Sequence, residues 1–334
     1  MMKHRHTVLQ ASSLLSLLLL ALLLLSLFAF SAAATITDSA RDMLTAGRID
    51  DAIAELNGRL STAPTDAASA NLLCRAYYTL EEWDRAESSC RKAVSLDPNN
   101  GTFHLWLGRV YGEKADRVNF LAAASLAGKV RAEFERAVQL NPKDVEARLD
   151  LTEFYIAAPA IVGGGEDKAR DQAHSLASVN PAREHWIYAR IAEKDKNYST
   201  AEREYHEYID RSNGDAEAWL NLALFLRRQK RYDEMEQAIV KLSHAPSSKP
   251  DGLVEAAGIL DHAGRNYPLA VELLNRYLAG GPVEAAPAFK AHYLLGQLLE
   301  KQGDKPSAAR EYRASLSLAR NFGNAQQALN RVDH

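Results

Sequence analysis

The sequence predicts an all-α fold: an array of about eight helical hairpins closed by a C-terminal capping helix. Three observations predict it. In residues 67–100, Ala70, Leu73, Cys74 and Tyr77 recur at i, i+3, i+4, i+7, and Ala86, Cys90, Ala93 and Val94 form a second helical stripe. The pattern returns with a period near 34 residues along the chain. Prolines such as Pro64, Pro98 and Pro142 close the units, because proline lacks the amide proton a helix needs. Neither helix of a unit can hide its apolar stripe alone, so each must stack on a neighbour.

Residues 1–34 read as a targeting segment. Lys3 and Arg5 precede an almost pure leucine run from Leu14 to Phe30, and Ser31 to Ala34 supply the small residues that signal peptidase requires. The run approaches the roughly 20 residues that span a bilayer. The chain therefore divides into a signal peptide (or signal anchor) at 1–34 and a solenoid domain at 35–334.

The first unit, 33–66, is degenerate, with Ala40, Met43, Ala52 and Leu56 inward. The second is the clear unit at 67–100, where Asp84 and Glu87 have capping-box spacing. The third opens with His104, Leu107, Gly108 and Tyr111 and closes at Pro142, 44 residues after Pro98. Ten extra residues therefore fall around Lys114 to Ala124, lengthening the helices or their turn. The fourth carries Leu151 and Tyr155, a swollen turn at 158–165 ending in three glycines, then Ala169, Ala173 and Leu176 before Pro181 ends its helix.

The fifth, 182–215, uses Tyr188, Ala189 and Ala192, then Tyr198, Ala201, Tyr205 and Tyr208, with Ser199 and Glu202 as a second capping box. The sixth, 216–249, has Trp219, Leu222, Ala223 and Leu226, then Met235 and Ile239. The seventh, near 251–284, is weaker; the eighth, near 289–322, has Leu295, Gly296, Ala308 and Tyr312. A short helix at about 324–331 covers the last apolar face.

The spacing aromatic-x2-Leu-Gly/Ala-x2-Tyr/Leu, then Ala-x3-aromatic, then Pro resembles the tetratricopeptide repeat. Trp219-Leu222-Ala223 and Leu107-Gly108-Tyr111 carry its first half; Ala308-Tyr312 and Ala86 to Pro98 carry its second. The resemblance covers nearly all of 33–334. It implies a right-handed superhelical solenoid whose first helices line a concave groove for peptides or partner-protein segments. Gly112 to Ala115, with the proline and triple-glycine turn, also resembles exported bacterial members. The chaperone-tail clamp of some cytosolic members is not matched, since its Lys and Asn set is missing from successive units.

Arg41, Arg75 and Arg109 are spaced by 34 residues each, so they hold one place in three successive units. Arg190 holds it in the fifth, and Glu153 in the fourth. Asn71 and Tyr78 share a helix side with Arg75, a side that lines the groove in the family. One expectation is an arginine ladder gripping carboxylates of an acidic peptide, with Trp106 and Tyr78 adding stacking surface. The other is a solvated face on which each arginine pairs with a nearby acid. Cys74 and Cys90, the only cysteines, lie on buried stripes of one hairpin. They are two small core residues or one disulfide in an oxidising compartment.

The formal net charge is −3, or −5 once Lys3 and Arg5 are set aside, so nucleic acid is not an expected partner. The triple glycine lacks the G-x-x-x-x-G-K-[ST] pattern, and Glu166 and Asp167 would repel a phosphate there. No H-E-x-x-H or G-x-S-x-G arrangement occurs. No metal or cofactor is expected. Asn100 and Asn197 head glycosylation sequons, relevant only in a eukaryotic host.

The expected function is that of a non-catalytic scaffold of the cell envelope, exported to the periplasm, binding a protein or peptide. One alternative is an assembly factor anchored in the membrane by residues 8–30. Another is a hydrolase with the 158–166 loop as a lid. Self-association through a terminal face is a third.

Overall fold

The computed structural model describes residues 39–247 and 249–333. The targeting segment at 1–34 and the anchor at 8–30 lie outside the described residues. The chain forms consecutive antiparallel hairpins: residues 39–45 (α1) with Ile49–Thr62 (α2), Ala67–Thr79 (α3) with Trp83–Leu96 (α4), Gly101–Ala115 (α5) with Phe120–Leu140 (α6), and Val145–Ala157 (α7) with Glu166–Ala177 (α8). Pro181–Lys194 (α9) pairs with Tyr198–Arg211 (α10), Ala216–Arg228 (α11) with Tyr232–His244 (α12), Gly252–Ala263 (α13) with Tyr267–Gly280 (α14), and Ala288–Lys301 (α15) with Lys305–Leu318 (α16). Gly323–Val332 (α17) covers the last face. No strand occurs among the described residues; Val283 and Ala286 form an isolated antiparallel bridge inside a loop.

First helices touch first helices across units, as α3 on α5, α7 on α9, α11 on α13 and α13 on α15, which makes them the inner layer of the solenoid. Each hairpin closes on small residues. A Cβ on Gly108 would sit 2.5 Å from the Phe134 ring, and one on Gly296 would sit 2.5 Å from the Tyr312 ring. These contacts let the paired helices approach until the aromatic side chain fills the gap. A polar clasp recurs one turn earlier. His104, His185 and His292 each place Nδ1 against a glutamate of the second helix, Glu133, Glu204 and Glu311, at 2.5, 2.9 and 2.7 Å. In the fourth hairpin Arg148 meets Gln172 at the same place, 2.7 Å away.

Several local expectations are corrected. Neither capping box forms: α4 starts after Glu82 without a side-chain cap, and Asp84 instead accepts from Lys114 at 2.7 Å. The cap of α10 is Asn197, which accepts from the Thr200 amide, while Glu202 pairs with Arg231. A short Asx side chain reaches the free amides of the first turn more directly than a residue one or two positions inside the helix. Pro181 does not end α8. It opens α9, where its missing amide costs nothing. Tyr198 is exposed rather than inward. The ten-residue insertion goes into α6, which runs for 21 residues and leaves Phe120 and Leu121 in solvent.

The array also closes on itself. The core that runs through α1 to α9 takes in Phe289, Ala319, Phe322 and Ala325 from the far end of the chain. The α1–α2 turn abuts the start of α15, where a Cβ on Gly47 would lie 2.8 Å from the Ala288 nitrogen. Charged pairs border this seam: Arg320 donates to Asp50 at 2.9 Å and Lys290 to Glu81 at 3.1 Å.

Candidate functional site

The inner face of the second and third hairpins gathers aromatic rings and guanidinium groups. Trp106, on α5, lies between two arginines: the Arg75 guanidinium carbon is 4.9 Å from the ring centroid and that of Arg109 is 4.8 Å. Arg75 reaches it from α3, the inner helix that touches α5. Tyr78 stands edge-on to Trp106 at 5.5 Å and to Trp83 at 5.4 Å. Arg117 covers the Trp83 ring at 4.4 Å. Cation–π contacts of this kind contribute about 0.5–1 kcal/mol each at partly exposed sites.

Carboxylates already answer the arginines. Arg75 donates from Nε and Nη2 to the two oxygens of Glu284, at 2.6 and 2.5 Å. Arg109 donates to Asp150 at 2.6 Å and to Glu146 at 3.2 Å, both on α7. Arg190 pairs with Glu153, the acid that holds its own place one unit earlier, and with Glu193. Burial opposes the charge of Arg109, but Asp150 and Glu146 together outweigh it and the guanidinium is held above its ordinary value. Asp150 is pushed up by burial, which Arg109 only partly offsets, and by Glu146 and Asp144. Burial and then Glu113 raise the Tyr78 phenol, which donates to Glu113 at 3.3 Å.

The structure thus brings Arg75, Tyr78, Trp106 and Arg109 together. Arg190 sits apart, two inner helices further on, and Arg41 is exposed on α1. Asn71 is buried, not part of an open surface, and its Nδ2 has no acceptor. Cys74 and Cys90 are joined as a disulfide, with Cα atoms 5.1 Å apart. The 158–165 loop packs on the outer helix α6, held by Lys168 donating to the Gly163 carbonyl at 2.9 Å, so it does not lie over Trp106. Two of its glycines are required: a Cβ on Gly164 would fall 1.9 Å from the Ala158 oxygen, and Gly163 has a φ of +100°.

Sequence reasoning missed Glu284, Trp83 and Arg117. Glu284 lies in the weakest unit, and nothing local signals a contact 209 residues away. Trp83 opens α4 and Arg117 lies in the turn between α5 and α6, places that the repeat pattern does not weigh. It also missed Arg183, buried on α9 and paired with Glu217 of α11, and the bond from Trp186 Nε1 to Asn221 Oδ1 at 2.8 Å.

The sequence pattern of the tetratricopeptide repeat matches residues 37–101, 167–239 and 256–331, which is more than half of the chain. The chain belongs to the tetratricopeptide repeat family. The longest unmatched stretch among the described residues, 102–166, holds the lengthened α6 and the glycine turn, two places where the 34-residue period is broken. The fold is similar to that of yeast Tom70, at 16% identity and a TM-score of 0.51, over 85% of this chain and 58% of that one. A tetratricopeptide repeat protein from Parabacteroides merdae aligns over 91% of this chain and all of its own, at 15% identity and a TM-score of 0.46. Among curated proteins, none matches the sequence. Tetratricopeptide repeat proteins generally mediate protein–protein interaction and scaffolding, and the fold is typically non-catalytic.

Proposed function

We propose that this tetratricopeptide repeat chain is an exported, non-catalytic scaffold that holds an acidic segment of a partner protein on its inner face. The observation that carries this reading is the bracketing of Trp106 by Arg75 and Arg109. Two guanidinium groups fixed on one indole offer bidentate sites for carboxylates beside a stacking surface. Bidentate pairing of Arg75 with Glu284 supports this reading, since it is the pairing a guest carboxylate would have to replace. The existing carboxylate partners mean that a guest exchanges with them rather than filling empty positions.

Export, to the periplasm, is supported by the leucine run at 14–30 with its small-residue end. The Cys74–Cys90 bond points the same way, since such bonds persist in oxidising compartments. The test is crosslinking capture from the envelope with wild type and the Arg75→Ala, Arg109→Ala double variant. Capture of a defined partner should fall at least tenfold while the protein stays folded. Equal capture by a folded double variant would remove the inner-face arginines from the account.

A further inference from the structure

Arg75 differs from the other inner-face arginines in where its partner comes from. Arg109 and Arg190 take carboxylates from the neighbouring inner helix α7. Arg75 takes Glu284, from the loop between α14 and α15, on the opposite part of the array. The loop is a built turn. Tyr277, itself buried, accepts from the Val283 amide at 2.8 Å and donates to the Ala286 carbonyl. Val283 and Ala286 bridge each other, and Pro282 and Pro287 flank the pair. Glu284 therefore projects from a rigid tip, with both oxygens engaged by one guanidinium.

We propose that the 281–287 loop is an internal occupant of the inner face, and that an acidic side chain of the partner replaces Glu284 on Arg75. This rests on the reading of the inner face as the guest site. A tethered carboxylate competes at an effective concentration of order millimolar. The loop therefore sets a threshold: a guest with one weakly held carboxylate fails, whereas one that also engages Trp106 and Arg109 displaces it. The apparent affinity of any guest is reduced by the fraction of molecules in which the loop is out. The rival account is that Glu284 merely fastens the seam, in which case removing its charge loosens the ends and gains nothing in binding.

The test uses a fluorescein-labelled peptide copying residues 279–288 of this chain, added to the purified protein up to 1 mM (an order-of-magnitude ceiling, ~10⁻³ M, set by the effective concentration) and read by anisotropy. The Glu284→Gln protein should bind it at least tenfold more tightly than wild type does. The same peptide carrying Gln in place of Glu should show no such gain, and Arg75→Ala in the Glu284→Gln background should abolish it. Equal binding to wild type and Glu284→Gln, including none to either, overturns the proposal. If Glu284→Gln fails to fold, Tyr277→Phe, which frees the loop while leaving the carboxylate, should still raise binding several-fold, and no rise overturns the proposal. Absence of the gain with Arg75-dependent partner capture intact rejects the internal occupant alone. Loss of Arg75 dependence in capture rejects the guest site with it.

Discussion

Phe289, at the start of α15, stands edge-on to Phe322, just before α17, with ring centroids 5.0 Å apart, and both rings pack into the core of the N-terminal hairpins. One end of the array is thus a binding surface for the other. Phe289 is fully buried, so Phe289→Ala should cost about 3–5 kcal/mol. Lys290→Ala, which removes a partly exposed ion pair with Glu81, should cost at most about 1 kcal/mol and become silent in high salt. Denaturant unfolding of both variants checks this. A Phe289→Ala protein as stable as wild type would show that the ends do not support each other.

The tight hairpin contacts predict opposite outcomes for two glycines. Gly296→Ala places a methyl group against the Tyr312 ring and should destabilise by about 1–3 kcal/mol. Gly258, inside α13, has open space around its missing Cβ, so Gly258→Ala should stabilise by up to about 1 kcal/mol. Thermal melts give both signs directly.

Glu255 makes a pH prediction. Desolvation, then Asp251 and Glu217, push its carboxyl up to about 7 from 4.5, with Lys249 pulling the other way; the side chain still meets solvent, which screens these neighbours and keeps the effect on stability small. Between those values the folded chain holds the proton that the unfolded chain releases. Stability from this group therefore falls as pH rises through that window. Glu255→Gln removes the loss. Its Tm should equal that of wild type near pH 4.5 and exceed it by about 1–3 °C at pH 8. Parallel pH profiles would place the carboxyl in ordinary water.

The disulfide closes a segment of 16 residues and both cysteines are fully buried. Reduction, or Cys74→Ala with Cys90→Ala, should lower stability by about 2–3 kcal/mol. Thiol counting under native conditions should find the bond intact long after addition of a mild reductant, because attack requires the hairpin to open. Rapid reduction without any change in melting would assign the bond no structural part.

The fold was legible because its cause is local and repeated. Residues such as Leu107, Gly108 and Tyr111 state a packing face within two turns, and the statement recurs in each unit. What the sequence does not carry is pairing at a distance. Arg75 was recognisable as an inner-face residue from its spacing with Arg109, but Glu284 was not, since the curvature that brings it round is the sum of small rotations over six hairpins. The Ser199–Glu202 spacing misled because helix starts are set by the first free amide, which Asn197 satisfies sooner. Cys74 and Cys90 could be placed on facing stripes, yet stripes fix neither their separation nor their angle.

The most direct test of the inner face as the partner site is photocrosslinking in the envelope. A benzoylphenylalanine would be placed either at Tyr78, beside Trp106, or at Ser88, exposed on the outer helix α4. The account predicts a defined protein adduct from position 78, lost in the Arg75→Ala, Arg109→Ala background, and none from position 88. An adduct from position 88 alone, or one from position 78 that persists without the two arginines, would contradict it.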